Sequence, residues 1–302
     1  MFSVVIITRE SPGDLRRTLR SILSQLYSPR QVIVVERGSC ADTDLVVAEF
    51  SRRSDASVLS LHRPGIGLGA ACNLAAAHAD GRYLTFLLAR DEMLPLSLEH
   101  YAKHFRRHPE YLVCYGRSIL RDRLGRLFPS YDKTLPAGDV LDVLFGGQLS
   151  IPLGAFACAR GLFEEGMQFP NQGHGLEPLE FLLQLAHLHR FRCVQEDVII
   201  VEETSDSLTP QRASAVCELK ERIAEELPAR INARIIAESL GKSHYAAAVA
   251  WWRAGEPERA LHHVRLAREH FPLRMKYWFL NGLVRTSRWL PGPTVVPERR
   301  AA

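Results

Sequence analysis

Two long apolar runs in this chain end abruptly in charge. Tyr83-Leu84-Thr85-Phe86-Leu87-Leu88 passes into Ala89-Arg90-Asp91-Glu92, and Val32-Ile33-Val34-Val35 passes into Glu36-Arg37. An acidic pair such as Asp91-Glu92 offers the hard oxygens that Mg²⁺ or Mn²⁺ takes. A guanidinium in the same place repels a cation and can instead hold a phosphate in a bidentate pair. Farther along, Glu177 and Glu180 precede Phe181-Leu182-Leu183 and follow the turn-rich Asn171-Gln172-Gly173-His174-Gly175. A carboxylate or imidazole there can take a proton from a hydroxyl within hydrogen-bond reach. Glu177 also has a purely structural explanation, because the helix dipole favours an acid in the first turn.

Such groups need rigid elements behind them. Phe2–Ile7, Val32–Val35, Val58–Leu61 and Tyr83–Leu88 read as strands separated by segments of helical spacing, which predicts an α/β fold with a mostly parallel sheet and helices on both faces. The first helix is expected to start with Ser11 as N-cap and Pro12 at its first position, and to bury Leu15, Leu19, Ile22, Leu23 and Leu26. Gly65-Ile66-Gly67-Leu68-Gly69 opens a small-residue helix over Ala70–Ala79 that can approach the sheet closely, ended by Asp80-Gly81. Its glycine spacing and its place after the third strand do not match the dinucleotide-binding fingerprint.

Val4-Val5-Ile6-Ile7-Thr8, Val34-Val35-Glu36-Arg37-Gly38-Ser39, Gly69-Ala70-Ala71-Cys72-Asn73 and Gly81-Arg82-Tyr83-Leu84-Thr85-Phe86-Leu87 come in the order and spacing of family-2 glycosyltransferases, which the chain resembles over roughly residues 1–205. The resemblance implies a GT-A fold and a nucleoside diphosphate sugar as donor, with Thr8, Glu36, Arg37, Asn73, Arg90 and Asp91 around it. The family's Val-Val-Asp-Asp-Gly-Ser strand end becomes Glu36-Arg37. Its metal-holding Asp-x-Asp becomes Leu88 and Arg90, neither of which ligates an ion. Its Glu-Asp pair, whose aspartate is the base, becomes Glu177-Pro178, and Pro178 has no proton chemistry.

Two readings of these departures stay open. In the first, Arg37 and Arg90 replace the metal on the diphosphate and the protein transfers a sugar to an acceptor hydroxyl with inversion by analogy; Glu177 is the candidate base, with Glu180 and His174 behind it. In the second, the chain is an inactive homologue that binds sugar nucleotide or works as a protein-interaction scaffold. A shifted pair, Asp91 with Glu92, would still admit Mg²⁺ or Mn²⁺; otherwise no metal is expected. Ile151–Arg160 reads as a strand of the acceptor half leading into Gly161-Leu162-Phe163, and Arg117–Pro136, with Arg121, Arg123, Arg126 and Lys133, as a basic flexible connection.

Strand signals stop after Glu203-Thr204-Ser205-Asp206-Ser207, so a helical extension is expected over 206–302 behind a transferase-like domain over 1–205. A helix is expected from Gln211 to Leu240. Trp251, Gly255, Ala260, Val264, Ala267 and Pro272 have the spacing of one tetratricopeptide unit near 241–274, either packed on its neighbours or used to dock a protein. Arg274–Leu290 mixes basic and aromatic residues, as buried aromatics finishing a helical core do, or as an interfacial helix serving a lipid-linked acceptor does.

The chain has 302 residues, 46% hydrophobic and 24% charged, with a formal charge of +4 spread along its length, which points away from nucleic-acid binding. Cys40, Cys72, Cys114, Cys158, Cys193 and Cys217 lie too far apart for a zinc or redox pair and suit a reducing cytosol. Neither a secretion signal nor a membrane span is expected, so the protein is placed in the cytoplasm, peripheral at the inner membrane face if its glycan acceptor is lipid-linked. His187, His189, His262 and His263 read as surface histidines, because neither pair has ligand geometry.

Overall fold

The computed structural model describes the chain apart from residues 10, 40–41, 53–54, 131–133, 172, 174, 203–208, 273 and 288–302. It divides into two compact units, Met1–Leu141 with Leu149–Glu203, and Asp142–Gln148 with Thr204–Ala302. The expected boundary falls among residues 203–208, outside those described.

The first unit is built on a nine-stranded sheet: β1 (Phe2–Thr8), β2 (Gln31–Glu36), β3 (Ser57–His62), β4 (Tyr83–Leu88), β5 (Glu92–Met93), β6 (Val113–Arg121), β7 (Leu127–Pro129), β8 (Phe156–Ala159) and β9 (Phe191–Glu202). Their order is β3-β2-β1-β4-β8-β6-β9-β5, with β7 on β6. The first four are parallel, β8 runs against β4 and β6, and β9 runs with β6, so the sheet is mixed. Both faces of β1 and β2 are buried, which is why they read as unbroken apolar runs. Thr8 pairs with Glu36 and Ile7 with Leu88, so β1, β2 and β4 end side by side. The crevice at the carboxyl ends of parallel strands is where open α/β sheets bind ligands.

Helices α1 (Pro12–Leu23), α2 (Asp42–Ser51), α3 (Leu68–Ala77), α4 (Ser97–Arg107), α6 (Gly161–Glu164) and α7 (Glu177–Leu188) belong to the same unit, and α5 (Leu141–Phe145) runs from it into the second. Helix α1 begins at Pro12 as expected and buries Leu15, Leu19 and Ile22. Ser11 stands at the N-cap as expected, but its hydroxyl donates to Asp14 Oδ2 at 2.5 Å rather than accepting from a backbone amide; the expectation for Leu26 fails, since it lies beyond the helix end and is 73% exposed. The basic segment after Arg117 is not a loose connection, because β6 and β7 pair as a hairpin whose turn is tied by Asp122 Oδ1 accepting from the Leu124 and Arg126 amides. Lys133 lies outside the described residues.

In the second unit, α8 (Pro210–Glu226), α9 (Ala233–Arg253), α10 (Pro257–His270) and α11 (Met275–Ser287) follow in order. The single helix expected over Gln211–Leu240 is two. Pro228 removes a backbone donor just past α8, and Asn232 Oδ1 restarts the helix by accepting from the Arg234 amide at 2.9 Å. Gly255 turns α9 into α10 at φ +79°, a left-handed conformation that glycine adopts without strain. Ala248, Trp251, Ala260, Val264, Leu280 and Val284 form the core. His263 is 9% exposed, so the surface expectation for it is wrong; it turns inward from α10 toward α9. No described helix is long and apolar enough to cross a membrane.

Candidate functional site

Each of the three strands that end together passes into an arginine: Thr8-Arg9 after β1, Glu36-Arg37 after β2, and Leu88-Ala89-Arg90 after β4. Since β1 lies between β2 and β4, Arg37 and Arg90 flank its end. Arg37 is the best defined of the three. Its amide donates to Thr8 O at 3.0 Å, its carbonyl accepts from the Gly65 amide at 2.9 Å, and its Nε donates to Ile66 O at 2.8 Å. One edge of the guanidinium is thus pinned to the loop after β3, and its two terminal nitrogens have no hydrogen-bond partner among the described residues. Burial lowers the Arg37 pKa, with the Glu177 carboxylate opposing and Arg9 adding to the shift. Burial likewise raises the Cys72 thiol, reinforced by Glu177 and opposed by Arg37. Arg9, Arg37, Cys72 and Glu177 therefore share one electrostatic neighbourhood.

Glu177 opens α7 and is only 3% exposed. Its Oε2 is buried without a hydrogen-bond partner, and so is Thr8 Oγ1 at the end of β1. Buried polar atoms are nearly always satisfied, so two unpaired ones, near the end of β1 and the start of α7, stand out.

Other expected donor residues serve the scaffold. Glu36 is fully buried, with Oε1 accepting from the Gly38 amide at 2.6 Å and Oε2 from Thr43 Oγ1 at 2.5 Å, so it braces the turn from β2 into α2. Asn73 donates from Nδ2 to Phe169 O and accepts from the Phe169 amide at Oδ1, both at 2.8 Å. The Phe169 ring stacks on Phe181 of α7 with centroids 3.8 Å apart. Asn73 thereby holds the backbone of Phe169, whose ring packs on α7, the helix that Glu177 opens.

Past β4, the Arg90 amide donates to Leu88 O at 2.7 Å and its carbonyl accepts from Arg17 Nη2 at 3.3 Å. Its half-buried side chain has no hydrogen bond or ion pair with any described residue. Asp91 is 2% exposed and accepts from the Glu202 amide at 3.3 Å; burial pushes its carboxyl up to about 7. Glu92 pairs with Arg121 at 2.5 Å and Arg17 at 3.2 Å. Asp91 and Glu92 thus face different partners, and among the described residues neither joins a group able to hold a metal. Leu88, half-buried at the end of β4, has no atom that could ligate an ion, and the Arg90 guanidinium beside it would repel one. Glu180 is buried one turn into α7, and His174 lies outside the described residues. A cavity of about 660 Å³ lined by Arg17, Arg20, Phe50, Glu92 and Ile200 contains none of the strand-end groups. Arg9 was overlooked in the sequence, although it follows the first strand as Arg37 follows the second.

The model of glycosyl transferase family 2 matches residues 3–160, just over half of the 302-residue chain. An uncharacterized glycosyltransferase of Escherichia coli (strain K12), YibD, is 28% identical over 97 residues, 32% of this chain and 28% of that one. Another, RP339 of Rickettsia prowazekii, is 22% identical over 182 residues, 57% and 56% of the two. The chain thus spans about half the length or less of the curated relatives it matches. S. aureus TarS in complex with UDP-GlcNAc superposes with TM-score 0.65 at 18% identity, covering 95% of this chain and 91% of that one; of a longer TarS structure the chain spans 52%. The mannosyltransferase PcManGT from Pyrobaculum calidifontis, in complex with GDP-Man and Mn²⁺, gives 0.59 at 16% identity, covering 94% and 80%. These likenesses establish the nucleotide-sugar transferase fold, and with the match over its first half the chain belongs to glycosyl transferase family 2.

Proposed function

We propose that the first unit binds a nucleoside diphosphate sugar and transfers the sugar to an acceptor hydroxyl, with guanidinium groups taking the place of a metal ion on the diphosphate. The observation that supports this reading is the row of Arg9, Arg37 and Arg90 at three adjacent strand ends, and it fits the resemblance, under which Leu88 and Arg90 would take the places of metal-binding acids. Arg37 would take phosphate oxygens through its free terminal nitrogens, and Arg9 and Arg90 would add fixed positive charge. A leaving diphosphate is stabilised by such charge without reorganisation at the moment of bond cleavage. Thr8 Oγ1 would donate to the donor.

Glu177 would be the base. The acceptor oxygen attacks the anomeric carbon, the bond from that carbon to the diphosphate oxygen breaks, and the hydroxyl proton passes to the carboxylate, inverting the centre by analogy with the family. His174 and Glu180 stand behind it as alternatives. TarS is solved with UDP-GlcNAc and UDP, and PcManGT with GDP-Man, so uridine and guanosine diphosphate sugars are the first donors to try. We place the protein in the cytoplasm, peripheral to the membrane if the acceptor is lipid-linked, and read the tetratricopeptide-like hairpin of α9 and α10 as support or as a platform for a protein partner.

A binder without turnover is the second reading, kept because under the resemblance Pro178 would stand at the position of the family's base, although the match to glycosyl transferase family 2 does not favour it. Calorimetric titration of UDP and GDP, with and without EDTA, separates these readings when paired with a donor hydrolysis assay. Binding indifferent to EDTA, weakened at least tenfold by Arg37→Ala, with turnover lost in Glu177→Gln, is expected. Binding that needs Mn²⁺ and survives Arg37→Ala and Arg90→Ala would overturn the metal-free proposal; tight binding with no turnover would leave the binder.

A further inference from the structure

The second unit gathers side chains that the transferase chemistry does not use. On α8, Cys217 and Glu221 stand four residues apart and so share a face. His244 projects from the middle of α9 and His263 from α10. Nδ1 of His244 and Nδ1 of His263 lie 3.0 Å apart, and one ligand atom from each of Cys217, His244 and His263 falls within 4.8 Å of the others. Cys217 and His244 are fully buried and His263 nearly so.

We propose that Cys217 Sγ, His244 Nδ1 and His263 Nδ1 form a site for a borderline-soft divalent ion, Zn²⁺ by ligand type, that ties α8, α9 and α10 together. Thiolate and imidazole are the donors such an ion takes, at about 2.3 and 2.0–2.1 Å, and two nitrogens bound to one tetrahedral ion stand roughly 3.3 Å apart. The two Nδ1 atoms need to separate by a few tenths of an ångström, and the Cys217 thiol, which now donates to Ala213 O at 3.4 Å, must turn toward them, leaving the fourth tetrahedral position to a water molecule.

The surroundings supply what metal-bound histidines require from outside, a partner on the other ring nitrogen. His244 Nε2 faces Glu221 Oε1 at 2.9 Å, and His263 Nε2 faces Ser214 Oγ at 3.0 Å, which itself accepts from Trp251 Nε1 at 2.8 Å. Binding would release the Cys217 proton to solvent and leave the His263 proton on Nε2 instead of Nδ1, so that Nε2 donates a hydrogen bond to Ser214 Oγ. The charges then close: one divalent ion against the Cys217 thiolate and the Glu221 carboxylate. Without the ion, the same groups form a chain of hydrogen bonds from Trp251 through Ser214, His263 and His244 to Glu221, which is the alternative to be tested.

The probe is Co²⁺, whose thiolate-bound tetrahedral form has a charge-transfer band and strong visible d–d bands. Full-length protein stripped with chelator should bind one Co²⁺, develop those bands, release it to one equivalent of Zn²⁺, and melt at a higher temperature with Zn²⁺ than without. Cys217→Ala should abolish the thiolate band, His263→Gln should weaken Zn²⁺ binding at least tenfold, and Cys193→Ala should change neither. Should His263→Gln fail to fold, the comparison of Cys217→Ala with the unaltered protein decides alone. A spectrum that survives Cys217→Ala, or no saturable binding at one equivalent, would overturn the site and leave only the hydrogen-bond chain.

Discussion

Asn73 and Phe169 are 96 residues apart in sequence and joined by two hydrogen bonds of 2.8 Å, one to each side of the Phe169 peptide backbone. That pair holds Phe169, whose ring stacks on Phe181 of α7, the helix that Glu177 opens. Replacing Asn73 by alanine leaves a partly buried amide and carbonyl unpaired, a loss of about 2–3 kcal/mol. A lowered denaturant midpoint should therefore accompany a fall in turnover larger than the fall in nucleotide affinity, measured by urea titration and calorimetry on the same preparation.

Gly69 sits four residues before Asn73 on α3, where an added Cβ would stand 1.9 Å from Pro170 O. A backbone carbonyl cannot give way as a flexible side chain does, so Gly69→Ala should cost about 1–3 kcal/mol or more by overpacking. Gly13→Ala, where nothing lies within 4 Å, is the control and should be neutral or slightly stabilising. Thermal melts of the two variants give the comparison.

Asp91 makes stability depend on pH. Its carboxyl titrates at about 7 when folded and near 3.8 when unfolded, so between those values the folded state holds the extra proton. Stability then falls as pH rises from about 4 to about 7 and levels off above, a total of a few kcal/mol. Asp91→Asn, which stays neutral, should flatten that slope, as read from unfolding midpoints at pH 4.5, 6 and 8. An unchanged slope would mean that Asp91 is ionised in the folded protein throughout.

Glu36→Ala would strip the Gly38 amide and the Thr43 hydroxyl of their acceptor inside the core. About 2–4 kcal/mol of stability should go with it, since both donors would be left buried and unpaired. Glu36→Gln, which keeps the shape and one acceptor oxygen, should lose less. Measured by chemical denaturation, an equal loss in both variants would show that the charge itself is what the turn needs.

Arg9→Ala removes a guanidinium that neighbours Arg37 without deleting a described hydrogen bond. Folding should be nearly unaffected, while nucleoside diphosphate affinity should fall severalfold and its salt dependence weaken, because one fixed charge near the diphosphate is gone. Calorimetry at two ionic strengths reads both. Unchanged affinity would place Arg9 outside the phosphate field.

The strands were legible in the sequence because both faces of β1 and β2 are buried and a continuous apolar run has no other economical explanation. Pro12 and the spacing of Leu15, Leu19 and Ile22 marked α1 for similar local reasons. Pro228 is also a local signal, since a residue without a backbone donor just past α8 separates it from α9. The inward turn of His263 had no such signal, since its partners on α8 and α9 sit 19 and more residues away.

What the amino-acid order alone determined is the succession of apolar runs into Arg9, Arg37 and Arg90, and the absence of an acid at Leu88, because neighbours along a chain need no fold to be adjacent. Which polar atoms are used up and which are left over was decided only in three dimensions. Glu36 and Asn73 find partners in the turn into α2 and in a distant backbone segment, while Thr8 Oγ1 and Glu177 Oε2 find none among the described residues. A side chain's hydrogen bonds depend on groups that folding brings from elsewhere, and burial then makes every unmatched atom costly enough to be informative.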